Sequence, residues 1–269
     1  MNILIYANCQ GIGIKHFLNK SEYIRNNYSI EHVRIDELVN KKLELNIEKL
    51  KNTDIFIYQY LDEKHGDICT NNILKYLKPD CKKISFAYIY NNSFYPTKGP
   101  ETILDKFIHK KCTIIYDNSE AIINLINSGL SLEQILDLYD KNQIDFNYSL
   151  RWDTTNNILE QKESNCDVKV LNFIKSNFNK QRLFLLENHP TSILFIEVVN
   201  QILDILNLDR INIENYGLND ANLNGYLPID NSSNNYFNLE YNIDDNSNNY
   251  YKKIITNIYN FYTNYELKR

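Results

Sequence analysis

The run Ile3-Leu4-Ile5-Tyr6-Ala7, broken by Asn8-Cys9-Gln10-Gly11, constrains this chain more than any other segment. Consecutive apolar residues without polar alternation read as a strand buried on both faces, as in a parallel sheet. Apolar residues then recur at helical spacing (Ile12, Ile14, Phe17, Leu18), so a helix follows to about Leu18. The cysteine therefore stands at a helix N-terminus, where unpaired N–H groups and the helix dipole favour an anion. That field lowers a thiol pKa and offers donors to a developing oxyanion. Asn8 and Gln10 add side-chain amides. The junction reads as a nucleophile elbow or an anion site. A lone free cysteine is more often a buried small hydrophobe, and the flanking amides are what set Cys9 apart.

Ile30–Ile35, Asp54–Tyr60 and Lys83–Tyr90 read as further strands, with a helix at Thr70–Leu77 stopped before Pro79. This alternation predicts an α/β fold, a mostly parallel sheet with flanking helices. A long loop, Asn91–Pro100, carries two of the five prolines. Helices then dominate, giving a helical insertion over approximately 100–180. Within it Ser119–Ser128 is one helix, Ser131-Leu132-Glu133-Gln134 opens another with a capping-box pattern, and Asn147–Lys175 holds two more. Arg151 and Glu163 lie in this insertion as an expected ion pair. Arg182–Leu186 is a late strand, Ile193–Leu206 an apolar helix, 217–249 an irregular Asn-rich segment, and Tyr250–Tyr265 helical again. Residues 1–269 read as a single domain, and the ending leaves room for a following one.

The net charge of −5 suggests no basic face, which argues against nucleic-acid binding. No run of about eighteen apolar residues offers a membrane span. The start lacks the basic region and cleavage site of a signal peptide, which implies a cytoplasmic protein. Five cysteines without a Cys-x-x-Cys pair argue against a disulfide framework and a zinc ribbon. The histidines at 16, 32, 65, 109 and 189 form no His-x-x-x-His pair, so no metal site is expected. The 21 tyrosines accompany abundant Asn, Ile and Lys and read as compositional bias. Oligomeric state is left open.

His189 is the second chemical candidate. It follows an apolar strand and precedes Pro190, which holds it out of a helix. Ligands of open α/β sheets bind outside the carboxyl ends of the strands, and Cys9 and His189 are each expected at such an end. Together they would form a Cys–His pair in which the imidazole takes a proton. Glu187 or Asn188 is placed to orient the ring. A role for His189 as a helix cap is the structural alternative. Gln59, at the end of the third strand, and Tyr95, in the long loop, are expected on the same rim. Lys15 and His16 lie on the first helix as phosphate contacts or as a solvated face. A phosphatase loop needs Arg where Lys15 stands, a P-loop motif is absent, and Gly11-Ile12-Gly13 lacks the third glycine of a dinucleotide fingerprint.

Ile5-Tyr6-Ala7-Asn8-Cys9-Gln10-Gly11 resembles the opening of the WcbI-type polysaccharide biosynthesis proteins. Asp54–Gln59, Ser85–Pro96, Leu159–Pro190 and Tyr226-Leu227-Pro228-Ile229 resemble later blocks of that family, in order. The resemblance implies an SGNH-hydrolase-like or flavodoxin-like core with cysteine at the nucleophile position. It also implies an acetyl-CoA donor and a sugar or sugar-nucleotide acceptor in capsule biosynthesis. On this chain it makes Cys9 and His189 the catalytic candidates, and Asn8, Gln10, Gln59, Asn188 and Tyr95 the substrate or oxyanion candidates. Gly11, Lys15 and His16 remain the cofactor candidates. Lys162 stands before Glu163 where the family usually has Arg, which removes a bidentate fork. The implied activity is acetyl transfer to a sugar hydroxyl or amine, through an acetyl-cysteine or directly. The alternatives are an esterase using the same elbow and a non-catalytic carbohydrate-binding module.

Overall fold

The apolar run at the N-terminus forms strand β1 (Asn2–Ala7), and its alternate residues bury on opposite faces. Leu4 and Tyr6 join a core with Ile35, Leu38, Leu50, Phe56, Ile73 and Leu77. Ile3 and Ile5 are equally buried. Burying such a side chain stabilises by about 1.5–3 kcal/mol, so β1 is a firm base for the residues at its end. The computed structural model describes residues 1–41, 45–97, 119–223, 225–242 and 247–266. Lys98, Gly99 and Pro100 of the long loop, the start of the expected insertion, His109 and Cys112 lie outside the described residues.

Contacts divide the chain into two units. The first comprises 1–91, 156–178 and 182–225. Its sheet is parallel, in the order β2-β1-β3-β4, with β2 at Ser29–Arg34, β3 at Ile55–Gln59 and β4 at Lys82–Phe86. Ile3 pairs with Ile30 on one side and Ile55 on the other, which brings Ala7 level with Arg34. The connecting helices include α1 (Gln10–Leu18), α2 (Glu22–Asn27), α3 (Ile35–Lys41), α4 (Ile47–Lys51) and α5 (Thr70–Ile73). The expected β4 is shortened: it ends at Phe86, beyond which side chains of other segments engage the backbone.

The expected late strand is not part of this sheet. β5 (Phe184–Leu186) pairs antiparallel with the short β6 (His189–Pro190) in a separate ribbon. His189 thus stands on a ribbon, not at the carboxyl end of a parallel strand as expected. The helix after Thr191 (Ser192–Ile205) packs on α1, where an added Cβ at Gly13 would lie 2.6 Å from the Phe195 ring. The glycine pair is therefore explained by close packing.

The second unit comprises 92–155, 179–181 and 226–269. Helices Glu120–Asn127 and Leu132–Asp140 pack on Ser247–Glu266, and Ser131 and Gln134 form the expected capping box. The Asn-rich segment contains a helix, Asn231–Phe237, because buried Asp230 caps it by accepting from Ser233 N–H at 2.9 Å. Tyr139 donates to the same carboxylate at 2.8 Å. No described helix is long and apolar enough to cross a membrane.

Candidate functional site

Asn8 turns the chain out of β1 into α1. Its Oδ1 accepts from Gln10 N–H at 3.0 Å, and its backbone carbonyl accepts from Gly11 N–H at 3.0 Å. The Cys9 carbonyl accepts from Ile12 N–H, also at 3.0 Å. The open helix-start N–H groups expected as an oxyanion cradle are thus already engaged. The backbone N–H of Cys9 remains, and with that of Gln10 it lies against the Cys9 sulfur.

Cys9 is half-buried, and its Sγ stands 3.9 Å from His189 Nε2. The two candidates, 180 residues apart, do meet. The expected thiol shift is reversed. Burial pushes the Cys9 thiol up and Asp36 adds to it, while Arg34 and the two N–H groups oppose without prevailing. Desolvation outweighs the helix N-terminus because the sulfur sits inside the rim. Cys9 therefore rests as a thiol at neutral pH, and a nucleophilic role requires a base. His189 Nε2, 3.9 Å from the sulfur, is a group chemically able to accept that proton.

The glutamines build the seat of this pair. Gln10 is fully buried; its Nε2 donates to Ile89 O (2.6 Å) and Asn188 O (2.9 Å). Its Oε1 accepts from Ile89 N–H (3.1 Å) and from Gln59 Nε2 (3.0 Å). Gln59 Oε1 accepts from Asn8 N–H at 3.0 Å. Both amide hydrogens of Gln10 are spent on carbonyls, so the expected substrate contact is corrected to a positioning role. Asn188 contributes its backbone carbonyl to this seat, and its side chain hydrogen-bonds the Tyr88 phenol.

His32 was not singled out by sequence. Its Nε2 lies 3.1 Å from both Ala7 O and Asn8 O, which identifies that nitrogen as a donor. Burial, aided by Arg34 and Lys15, holds its pKa below the usual imidazole value. Ile30, His32 and Arg34 share one face of β2 by period two, and register with β1 is the signal that locates His32 beside the elbow. Gly11 is glycine for this reason: a Cβ there would lie 2.2 Å from His32 Nε2. Arg34 in turn is held by Asp36, through Nε at 3.2 Å, and by Glu37 at 3.3 Å.

The remaining candidates divide. Gly11 N–H is engaged by Asn8 O, and burial lowers the His16 pKa, which disfavours its cationic form as a phosphate contact. Lys15 is half-buried with its charge felt by His32, and among the described residues it makes no ion pair. Tyr95 is 1% exposed in the second unit, where its carbonyl accepts from Arg151 Nη1 at 2.6 Å. The expected Arg151–Glu163 pair is absent among the described residues. Arg151 also donates to Asn92 O (3.1 Å), whereas the Glu163 carboxylate accepts from Val170 N–H (2.7 Å) and Leu171 N–H (3.2 Å).

The family model of WcbI, a polysaccharide biosynthesis enzyme, matches residues 2–210. No curated protein matches the chain. A solved structure described as WcbI, a novel polysaccharide biosynthesis enzyme, in a native form without a disulfide bond between CoA and one of its cysteines, shares the fold. It superposes with a TM-score of 0.61 at 19% identity, covering 85% of this chain and 75% of that one.

Proposed function

Because the chain belongs to the WcbI family of polysaccharide biosynthesis enzymes, we propose that it is a CoA-dependent acetyltransferase. Its acceptor is a hydroxyl or amino group of a nucleotide-activated or glycan sugar. The supporting observation is the Cys9 Sγ–His189 Nε2 approach of 3.9 Å at the start of α1. The solved WcbI structure, described in relation to CoA and a cysteine, supports a CoA thioester as donor.

His189 Nε2 removes the Cys9 proton, and the thiolate attacks the acetyl carbonyl of acetyl-CoA. The bond to the CoA sulfur breaks, and His189 returns the proton to the departing thiolate. The acceptor then gives its proton to His189 and attacks the acetyl-cysteine, and the proton returns to Sγ. Cys9 N–H and the Asn8 side-chain amide are the donors we assign to the developing oxyanion. Lys15 supplies a cation for a CoA phosphate. A cytoplasmic setting keeps Cys9 reduced.

Intact-mass spectrometry after incubation with acetyl-CoA tests this. The wild type should carry one acetyl adduct, mapped to Cys9, and Cys9→Ser should carry none. Isothermal titration should show acetyl-CoA binding by both. An unmodified wild type that nonetheless transfers acetyl would shift the base role of His189 to the acceptor. Absence of acetyl-CoA binding would remove the transferase reading.

A further inference from the structure

At the carboxyl ends of β3 and β4 lies a cavity of about 600 Å³ in the first unit, with Tyr88 in its lining. Tyr58, Tyr60 and Tyr88 supply its aromatic walls. Tyr58 is fixed by stacking on Phe56 at 5.2 Å, and Tyr60 is 60% exposed. Gln161 and Asn165 add amides to the lining. Tyrosines interleaved with amides suit a sugar, whose ring faces are apolar and whose edges are polar.

The charge balance narrows the ligand. Two lysines, Lys64 and Lys162, line the cavity with His65; Asp62 lies 3.0 Å from the Lys64 ammonium and 3.6 Å from His65 Nε2, so it offsets the Lys64 charge. Lys162 makes no ion pair among the described residues, and its ammonium stands 5.5 Å from the Tyr88 ring centroid. One uncompensated cation beside aromatic walls fits a ligand with one phosphate or diphosphate group. CoA, with three phosphates and about four negative charges, asks for more.

The cavity is tied to the nucleophile's seat through the chain itself. Tyr88 precedes Ile89, whose N–H and carbonyl are both bonded to the Gln10 side chain, and Gln10 follows Cys9. We propose that this cavity holds the acceptor, and that the acceptor is a phosphorylated sugar whose phosphate meets Lys162. The acceptor role rests on the acetyltransferase reading; the binding of a phosphorylated sugar stands apart from it.

Isothermal titration tests this with glucose 1-phosphate, UDP-N-acetylglucosamine, glucose and CoA, on the wild type, Lys162→Glu and Tyr60→Ala. Both substituted side chains are exposed, and equal melting temperatures check the fold. A phosphorylated sugar should bind the wild type. Lys162→Glu should weaken it about tenfold or more, as loss of a hydrogen bond to a charged group does. CoA affinity should stay unchanged. Binding of the monophosphate or of the nucleotide sugar supports the proposal and tells the two sources apart. The proposal is overturned if neither binds at millimolar concentration while CoA does, if glucose binds as tightly, or if Lys162→Glu weakens CoA instead. Failure of CoA alone to bind would count against the acetyltransferase reading and leave the sugar-phosphate result intact.

Discussion

The Gln10 side chain holds the backbone of Ile89 at two points, accepting from its N–H at 3.1 Å and donating to its carbonyl at 2.6 Å. Ile89 lies three residues past the end of β4, where ladder bonding has ceased. One amide thus continues the order of the sheet and fixes the segment beside Cys9.

Gln10→Ala should therefore be among the most destabilising single changes in the first unit. It would leave Ile89 N–H, Ile89 O, Asn188 O and Gln59 Nε2 without their partner. An unmet buried polar group costs about 1–3 kcal/mol, so a total loss of roughly 3 kcal/mol or more is expected in urea unfolding. Gln10→Glu should not rescue it, because a carboxylate would face two carbonyls. A loss below about 1 kcal/mol would show that the clamp is not a structural element.

Gly11→Ala should be destabilising through one identifiable clash. Its Cβ would meet His32 Nε2 at 2.2 Å, far inside contact distance, and overpacking typically costs about 1–3 kcal/mol. In the double variant with His32→Ala the clash is gone, so the two changes should be strongly non-additive in thermal melts. Additive losses would mean that Gly11 is required for another reason.

Much of this was legible in the sequence. Strands buried in a parallel sheet write uninterrupted apolar runs, which is why β1 and β3 stand out, and Cys9 is visible at the break after β1. What was not legible is tertiary. The glutamine side chains look available in sequence, and only the fold shows that Ile89 and Asn188 consume the Gln10 donors. The direction of the Cys9 shift depends on how far the sulfur is buried, which a strand-helix motif does not encode. The strand before His189 reads alike in a parallel sheet or a two-stranded antiparallel ribbon, so sequence alone does not place His189 on the ribbon. His32 carried a usable signal, its place on the Ile30–Arg34 face, that needed the β1–β2 register to be read.

The Cys9 shift predicts the pH course of alkylation. Because the folded thiol titrates above its ordinary value, iodoacetamide should react slowly near neutrality and accelerate through a midpoint higher than that of the urea-unfolded chain. Asp36→Asn removes a charge that raises the thiol and frees Arg34, which lowers it. Both effects have the same sign, so the midpoint should fall. A midpoint unmoved by Asp36→Asn would mean that burial alone sets it.

His32 gives stability a sign on the acid side. Its folded pKa lies below the ordinary imidazole value of about 6.5, so the unfolded chain binds more protons in that range. The contribution is fully present above the unfolded value and is lost as pH falls from there through the folded value. Unfolding free energy should thus decline below about pH 6.5. His16 is shifted in the same direction, so the His32 share is read from the difference between wild type and His32→Asn. An identical slope in the two would remove His32 as its source.

Gly225 should matter to chemistry more than its distance in sequence from His189 suggests. Its φ of +104° is a conformation that side chains rarely adopt, and an added Cβ would lie 2.3 Å from Leu186 Cδ1 and 3.5 Å from His189 Nδ1. Leu186 pairs with His189 across the ribbon, so displacing one moves the other. Gly225→Ala should slow acetyl transfer, with His189→Ala as the limiting case. Because Gly225 touches no reacting atom, the effect should appear in kcat with acetyl-CoA affinity retained. If the imidazole takes the thiol proton as proposed, the rate of Cys9 alkylation at fixed pH should change with it. Full activity with an unaltered alkylation rate would show that the ribbon absorbs the methyl group elsewhere, and that the position of His189 does not depend on Gly225.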